Sequence, residues 1–265
     1  MSWLRIESTA YWAVFAAAFA AIAVWQTMRP ARRLTVSLSR RWGNHALLML
    51  TYSAIAMLLF RTSAVMLALA CEGNRFALLN RAWLPPAARI VLAILALDFV
   101  RYGVHRMEHS VEFLWRIHQV HHSDPDCDLS TGLRAHPVEF LLQQAVYFAA
   151  IAILAAPPVA VLAAELASLI QSFLSHANAK LPLWIERPLR FVLVTPEMHA
   201  IHHSEEIREQ AANLGDAFPW WDFLLGTYIR EPAKGQDSVV LGLKGFQNER
   251  SLKYIFMLAQ PFRRD

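Results

Sequence analysis

His105-Arg-Met-Glu-His109, His118-Gln-Val-His121-His122 and His199-Ala-Ile-His202-His203 decide how this chain is read. Of its 11 histidines, all but His45 lie between His105 and His203, and two single ones, His136 and His176, fall between the clusters. On a helix, residues three and four apart share a face, so each stretch presents two or three imidazoles together. Neutral imidazole is a common ligand for iron, zinc and copper. Eight clustered histidines are too many for one tetrahedral ion and suit two metals sharing a cage. His109 and His118 stand about 180° apart on one straight helix, so a break is expected between Ser110 and Ile117. Glu108 sits directly before His109, which excludes the His-Glu-x-x-His arrangement of zinc proteases. His45, alone, reads as a core histidine with satisfied hydrogen bonds.

The rest of the chain reads as membrane protein. With 56% hydrophobic and 17% charged residues, it is too apolar for an ordinary soluble domain. The net charge of +4 comes from arginines beside apolar runs, which fits membrane topology better than nucleic-acid binding. Cys71 and Cys127 form no framework and no thiolate site.

Tyr11 to Met28 is uncharged and long enough to cross a bilayer, and it reads as an anchor rather than a removed signal peptide. Arg29, Arg32, Arg33, Arg40 and Arg41 follow, so this loop is expected in the cytoplasm with the N-terminus outside. Ala46 to Phe60 returns across the membrane, and Thr62 to Ala70 continues apolar. Arg61 between them is expected at the outer surface, the alternative being inside the bundle. Cys71 to Pro86 reads as an outer loop with an amphipathic portion, and Ile90 to Leu97 as the start of a third crossing that delivers His105 to the cytoplasmic side. Asp98, Tyr102, His105 and His109 share one face, so Asp98 either pairs with Arg101 or orients a ligand histidine. Ser123 to Thr131 reads as a solvated loop, because Asp124, Asp126 and Asp128 lack the spacing of a calcium loop. Pro137 to Ala156 and Val159 to Phe173 form a hairpin about Pro157-Pro158, with Glu165, Ser172 and His176 on one face. Beyond Ala177 the chain is expected outside the membrane. Thr195-Pro196-Glu197 starts the helix that carries the third cluster. Trp220 and Trp221 are expected to pack this cap, Ser238 to Leu243 to form a short strand, and Arg263-Arg264 to face an anionic leaflet. All three clusters then emerge on the arginine-rich side.

The histidine set, in this order and in a chain with several crossings, resembles the fatty acid hydroxylase / sterol desaturase superfamily, and its arrangement is similar to bacterial sterol desaturase family proteins. The blocks that carry the likeness are Asp98…Tyr102…His105-Arg…His109, Leu114-Trp-Arg…His118…His121-His122-Ser123, Arg134…His136-Pro137…Glu139, His176…Asn178 and Asn213-x-Gly…Trp221-Asp222…Gly226-Thr227. The resemblance implies a membrane di-iron oxygenase that uses dioxygen and electrons to hydroxylate or desaturate a lipid, whether sterol-like, hopanoid, carotenoid or fatty acyl. It implies His105, His109, His118, His121, His122, His199, His202 and His203 as ligands and His176 as a further one. His136 would touch metal or orient a ligand, and Asn213 would hold a water at an open position. Zinc is a possible substitute for the two iron ions in purified protein. No His-Pro-Gly-Gly haem signature occurs, so a separate electron donor is expected. A lateral lipid path along the Glu165 face is a further expectation.

The expected fold is an all-α integral membrane protein of about four to five membrane-embedded helices with a cytoplasmic histidine-rich cap, placed in a bacterial inner membrane. Residues 1–89 would form the anchor region, 90–230 the histidine-box domain and 231–265 a cytoplasmic tail. The alternative reading is a metal-dependent lipid hydrolase using the same cage with zinc-activated water.

Overall fold

Long apolar runs without internal proline become the membrane helices of the computed structural model, which describes residues 3–81 and 83–263. These are α1 (Trp3–Met28), α2 (Leu38–Phe60) continued by α3 (Ala64–Cys71), then α7 (Pro137–Leu154) and α8 (Pro158–His176). Four spans, with α2 and α3 forming one, are long and apolar enough to cross a bilayer. The remaining helices are α4 (Leu78–Arg81), α5 (Pro86–Ser110), α6 (Glu112–His122), α9 (Leu183–Leu189), α10 (Pro196–His202), α11 (Ile207–Gln210), α12 (Trp220–Leu225) and α13 (Tyr254–Ala259). The expected third crossing is the first half of α5, but its arginines and acids keep that helix out of the four apolar spans.

Local chemistry sets the breaks. Arg61 ends α2 in the left-handed region at φ 54°, exposed, and Ser63 caps α3 by accepting the Met66 N–H at 3.2 Å. Ala155, also left-handed at φ 45°, ends α7, and Pro158 opens α8 at its first turn. The α7–α8 hairpin thereby starts and finishes at the histidine end. Alanines 64, 68, 93, 160 and 164 form the seam where α3, α5, α7 and α8 meet, and small side chains let these backbones approach closely. A second seam joins α1 to α8 through Phe15, Phe19 and Phe173.

Three expectations fail here. The Ser123–Thr131 loop is buried: Asp124 and Asp128 are 0% exposed and Asp126 is 4% exposed. The reason is Arg41, likewise 0% exposed, which is a countercharge rather than a topology signal. Its guanidinium takes Asp124 with both Nη atoms at 2.7 Å and reaches Asp128 at 3.2 Å and Asp126 at 3.4 Å. Thr35, Val36, Trp42, Ser130, Thr131 and the Asp126 N–H supply further donors to these carboxylates. Ser238 to Leu243 forms no strand; an isolated bridge pairs Ser204 with Leu241, and Gly242 at φ 89° turns the chain away against the Asp124 carbonyl. The place of Arg264 lies outside the described residues. His45, by contrast, is a core histidine as expected, with Nδ1 2.8 Å from Ser130 Oγ.

Candidate metal centre

The phase argument for a break after His109 is met at Ser110–Val111, where α5 stops and α6 begins. That corner folds the second cluster back over the first. Thr195 accepts the Met198 N–H at 3.3 Å, Pro196 takes the first helical position, and α10 brings in the third cluster. The last turn of α8 delivers His176.

Nine histidines thus meet in two groups, each with ligand-capable nitrogens within 4.8 Å of one another. The first holds His105, His109, His118, His122 and His202; the second holds His121, His176, His199 and His203. Each His-x-x-His-His stretch is divided between them. In α6 the i, i+4 pair His118 and His122 faces the first group and His121 the second. In α10 the order reverses, with His199 and His203 in the second and His202 in the first. The groups touch where His122 and His203 stack at 4.5 Å between ring centroids.

Backbone carbonyls outside the cage fix the orientation of four of the rings. Nδ1 of His105 lies 2.9 Å from the Leu214 carbonyl, that of His202 2.9 Å from Ala212, that of His121 3.2 Å from Arg134, and that of His176 2.7 Å from Ser172. A carbonyl only accepts, so Nδ1 carries the proton and Nε2 presents its lone pair inward. Burial, and then the neighbouring imidazoles, hold His118, His121, His122, His199, His202 and His203 well below the usual histidine range, so all six are neutral.

The inward nitrogens test whether metals fit. In the first group Nε2 of His109, His118, His122 and His202 is buried with no hydrogen-bond partner. Such orphans cost about 1–3 kcal/mol each and persist where something else satisfies them. In the second group Nε2 of His176 lies 3.1 Å from that of His121 and 2.9 Å from that of His199, which is 3.2 Å from Nε2 of His203. With Nδ1 protonated on His121 and His176, their facing Nε2 lone pairs repel unless a cation lies between. Bonds of about 2.0–2.1 Å to one metal, at angles from square to tetrahedral, put ligand nitrogens roughly 2.9–3.4 Å apart. The donor set fits metal in both groups.

Two acids that composition alone does not mark complete the surroundings. Glu139 Oε1 accepts from His118 Nδ1 at 2.7 Å, and Glu108 Oε2 stands 3.6 Å from the same nitrogen. Gln143, one turn beyond Glu139, donates to both oxygens of Glu108 at 2.9 and 3.2 Å. An acid at the third position of an otherwise apolar helix is the signal for Glu139. A cavity of about 200 Å³ opens between α5, α7 and α8 and reaches His105, His118, His121, His176 and His199, hence both groups.

The other candidates sit elsewhere. Asp98 binds neither Arg101 nor a histidine: its oxygens accept from Ala217 N at 3.0 Å and Trp221 Nε1 at 2.6 Å. It ties down the segment whose Ala212 and Leu214 carbonyls hold His202 and His105, two links from the rings. His136 belongs to neither group; it caps α7 with Nδ1 accepting from Val138 N at 3.2 Å. Asn213, at φ 53°, spends its amide on Met198 O, Ile229 O and Ile229 N, because it must hold a left-handed turn rather than face the cage. Glu165 does not line the cavity, and Arg101 is a positive charge that acts on it.

Four spans long and apolar enough to cross a membrane, a doubled histidine cage and a cavity between three of the helices together define a membrane-bound class of protein with a candidate metal centre. The chain belongs to the fatty acid hydroxylase family, whose model matches residues 90–227. It is 30% identical over 181 residues to the ornithine lipid hydroxylase OlsE of Rhizobium tropici, covering 68% of this chain and 52% of that protein. It is 32% identical over 151 residues to the alkylglycerol monooxygenase of Homo sapiens, covering 57% of this chain and 32% of the relative. The methylsterol monooxygenase 1 of Gallus gallus is 29% identical over 132 residues, 49% of this chain and 42% of its own. The chain therefore spans about half, or less, of the curated relatives it matches. No solved structure matches it.

Proposed function

We propose that this chain is a membrane di-iron oxygenase that hydroxylates or desaturates a lipid, with dioxygen as oxidant and electrons from a separate donor. The observation that carries this reading is the pair of histidine groups, with unpartnered Nε2 atoms in the first, both reached by one cavity. The five-histidine group would hold one ion and the four-histidine group the other. Iron held there supplies dioxygen reduction and attack on an unactivated C–H bond, chemistry beyond any side chain in the cavity. The protein binds and aligns. Backbone carbonyls and Glu139 fix the rings of His105, His118, His121, His176 and His202 ahead of metal entry. Val100, Val104 and Phe140 give the cavity an apolar wall that excludes water and accepts hydrocarbon. The names of its relatives, each a hydroxylase or monooxygenase acting on a lipid, support the class of reaction.

The same reading puts the cage on the cytoplasmic side. The Arg29–Arg33 turn docks at the histidine end, where Arg32 N donates to Asn178 Oδ1 at 3.0 Å, two residues beyond His176. Arginines flanking a span favour the cytoplasm.

The deciding experiment is metal content and dioxygen uptake on detergent-purified protein reconstituted anaerobically with Fe(II). The expected result is about two irons per chain, reductant-dependent uptake and a lipid product gaining one oxygen or losing two hydrogens. His202→Ala in the first group and His199→Ala in the second should each abolish uptake. One tightly held zinc with lipid cleavage and no dioxygen consumption would replace this reading by the hydrolase.

A further inference from the structure

The cavity wall carries a polar cluster that neither holds nor orients a histidine. Arg101 leaves α5 one turn before His105, on the same face and about 6 Å along the axis. Its guanidinium lies over the Tyr147 ring, 4.3 Å from the centroid. Its Nε stands 3.9 Å from Asp216 Oδ2, beyond hydrogen-bond range. Both facing atoms are buried without a hydrogen-bond partner. The side chains themselves are open to the cavity, 32% for Arg101 and 28% for Asp216. Both also line a small cleft between α5, α8 and Ala217–Phe218. An ion pair held apart, at the junction of two voids, lacks a group that would join it.

We infer that Arg101 and Asp216 form a polar subsite of the lipid cavity, reading a neutral hydroxyl or amide group of the substrate one helical turn from His105. The inference rests on the oxygenase reading for the word substrate, but not for the binding. A hydroxyl or amide offers both halves of the match, an oxygen to accept from the guanidinium and a hydrogen to donate to the carboxylate. A carboxylate or phosphate offers only acceptors and would face Asp216, with Glu165 also acting on Arg101. A bare hydrocarbon would leave the pair unjoined. Anchoring the polar group here leaves the adjoining carbons of the chain beside the cage, so the subsite sets which carbon is presented.

The test is direct binding of dodecanol, dodecanamide, dodecane and dodecanoate to the purified metal-loaded protein, at equal mole fraction in one detergent, read as adducts by native mass spectrometry. The alcohol and the amide should bind about tenfold tighter than the alkane and the carboxylate, the ratio that ~1.4 kcal/mol of hydrogen bonding gives. Equal binding of all four, or tightest binding of dodecanoate, would overturn the inference in the native protein without any variant. Asp216→Asn and Arg101→Gln should each flatten the preference while alkane binding and metal content stay unchanged. A preference that survives both would place the subsite elsewhere. Alcohol preference without dioxygen-dependent oxidation would sink the oxygenase reading and leave this one standing; oxidation without the preference would do the reverse.

Discussion

Two buried polar clusters lie side by side in this molecule, and they are built on opposite principles. In the Arg41 cluster all six oxygens of Asp124, Asp126 and Asp128 have donors inside the protein. In the histidine cage Nδ1 of His105, His118, His121, His176 and His202 is held from outside, whereas Nε2 of His109, His118, His122 and His202 has no partner. A network whose acceptors are all met, with Arg41 Nε alone of its guanidinium nitrogens left over, holds the chain; an open one is organised toward something the chain does not contain. The Arg41 cluster ties the start of α2 to the loop after the second histidine stretch. The cage is what that tie keeps in place.

The sharpest way to break the comparison is to open the closed cluster. Asp124→Ala removes the bidentate partner of a fully buried arginine, and breaking such a pair costs about 3–5 kcal/mol. Denaturant unfolding should show that loss, while the folded fraction keeps the metal stoichiometry of the parent. If Asp124→Ala lost metal with stability intact, the two clusters would not be separate devices.

The contrast also marks what could be read from residues alone. Spacing of three and four told that each stretch shows imidazoles on one face, and the nine-residue gap called for a break between Ser110 and Ile117, which falls at Ser110–Val111. Convergence and an all-helical membrane fold were therefore legible. Spacing did not tell how each His-x-x-His-His divides, because a helical face is defined against its own axis and not against a partner. The acidic loop was misread for a related reason. Three aspartates look solvated until their countercharge is known, and Arg41 lies more than eighty positions earlier in the chain. Asn213 and His136 work through backbone groups and Asp98 through the Ala217 N–H and the Trp221 indole, partners that a sequence does not display.

Glu139 bridges the two principles and gives the next prediction. One oxygen serves the cage through His118, and the other closes the start of α7 by accepting the His136 N–H at 3.1 Å. Glu139→Gln keeps the shape but weakens the acceptor that fixes His118. Loss of such a partner typically lowers metal affinity about 10–100-fold, and competition with a chromophoric chelator should show it. Unchanged affinity would mean that His118 is oriented by packing alone.

His136 supplies the smallest effect and the finest distinction, because it sits three residues from Glu139 yet belongs wholly to the closed side. Its Nδ1 accepts the Val138 N–H as a helix cap, and its Nε2 lies 3.3 Å from the Leu258 carbonyl. His136→Ala should cost about 1 kcal/mol, the usual worth of a capping side chain, and His136→Asn, which caps as well, should recover most of it. Neither change should move chelator competition, since no ring in either histidine group leans on His136. Metal loss in His136→Ala that His136→Asn does not restore would mean the imidazole itself reaches the cage. A shared loss would instead mean that the α7 start positions Glu139, and the boundary between the open and closed clusters would then run through a single turn of helix.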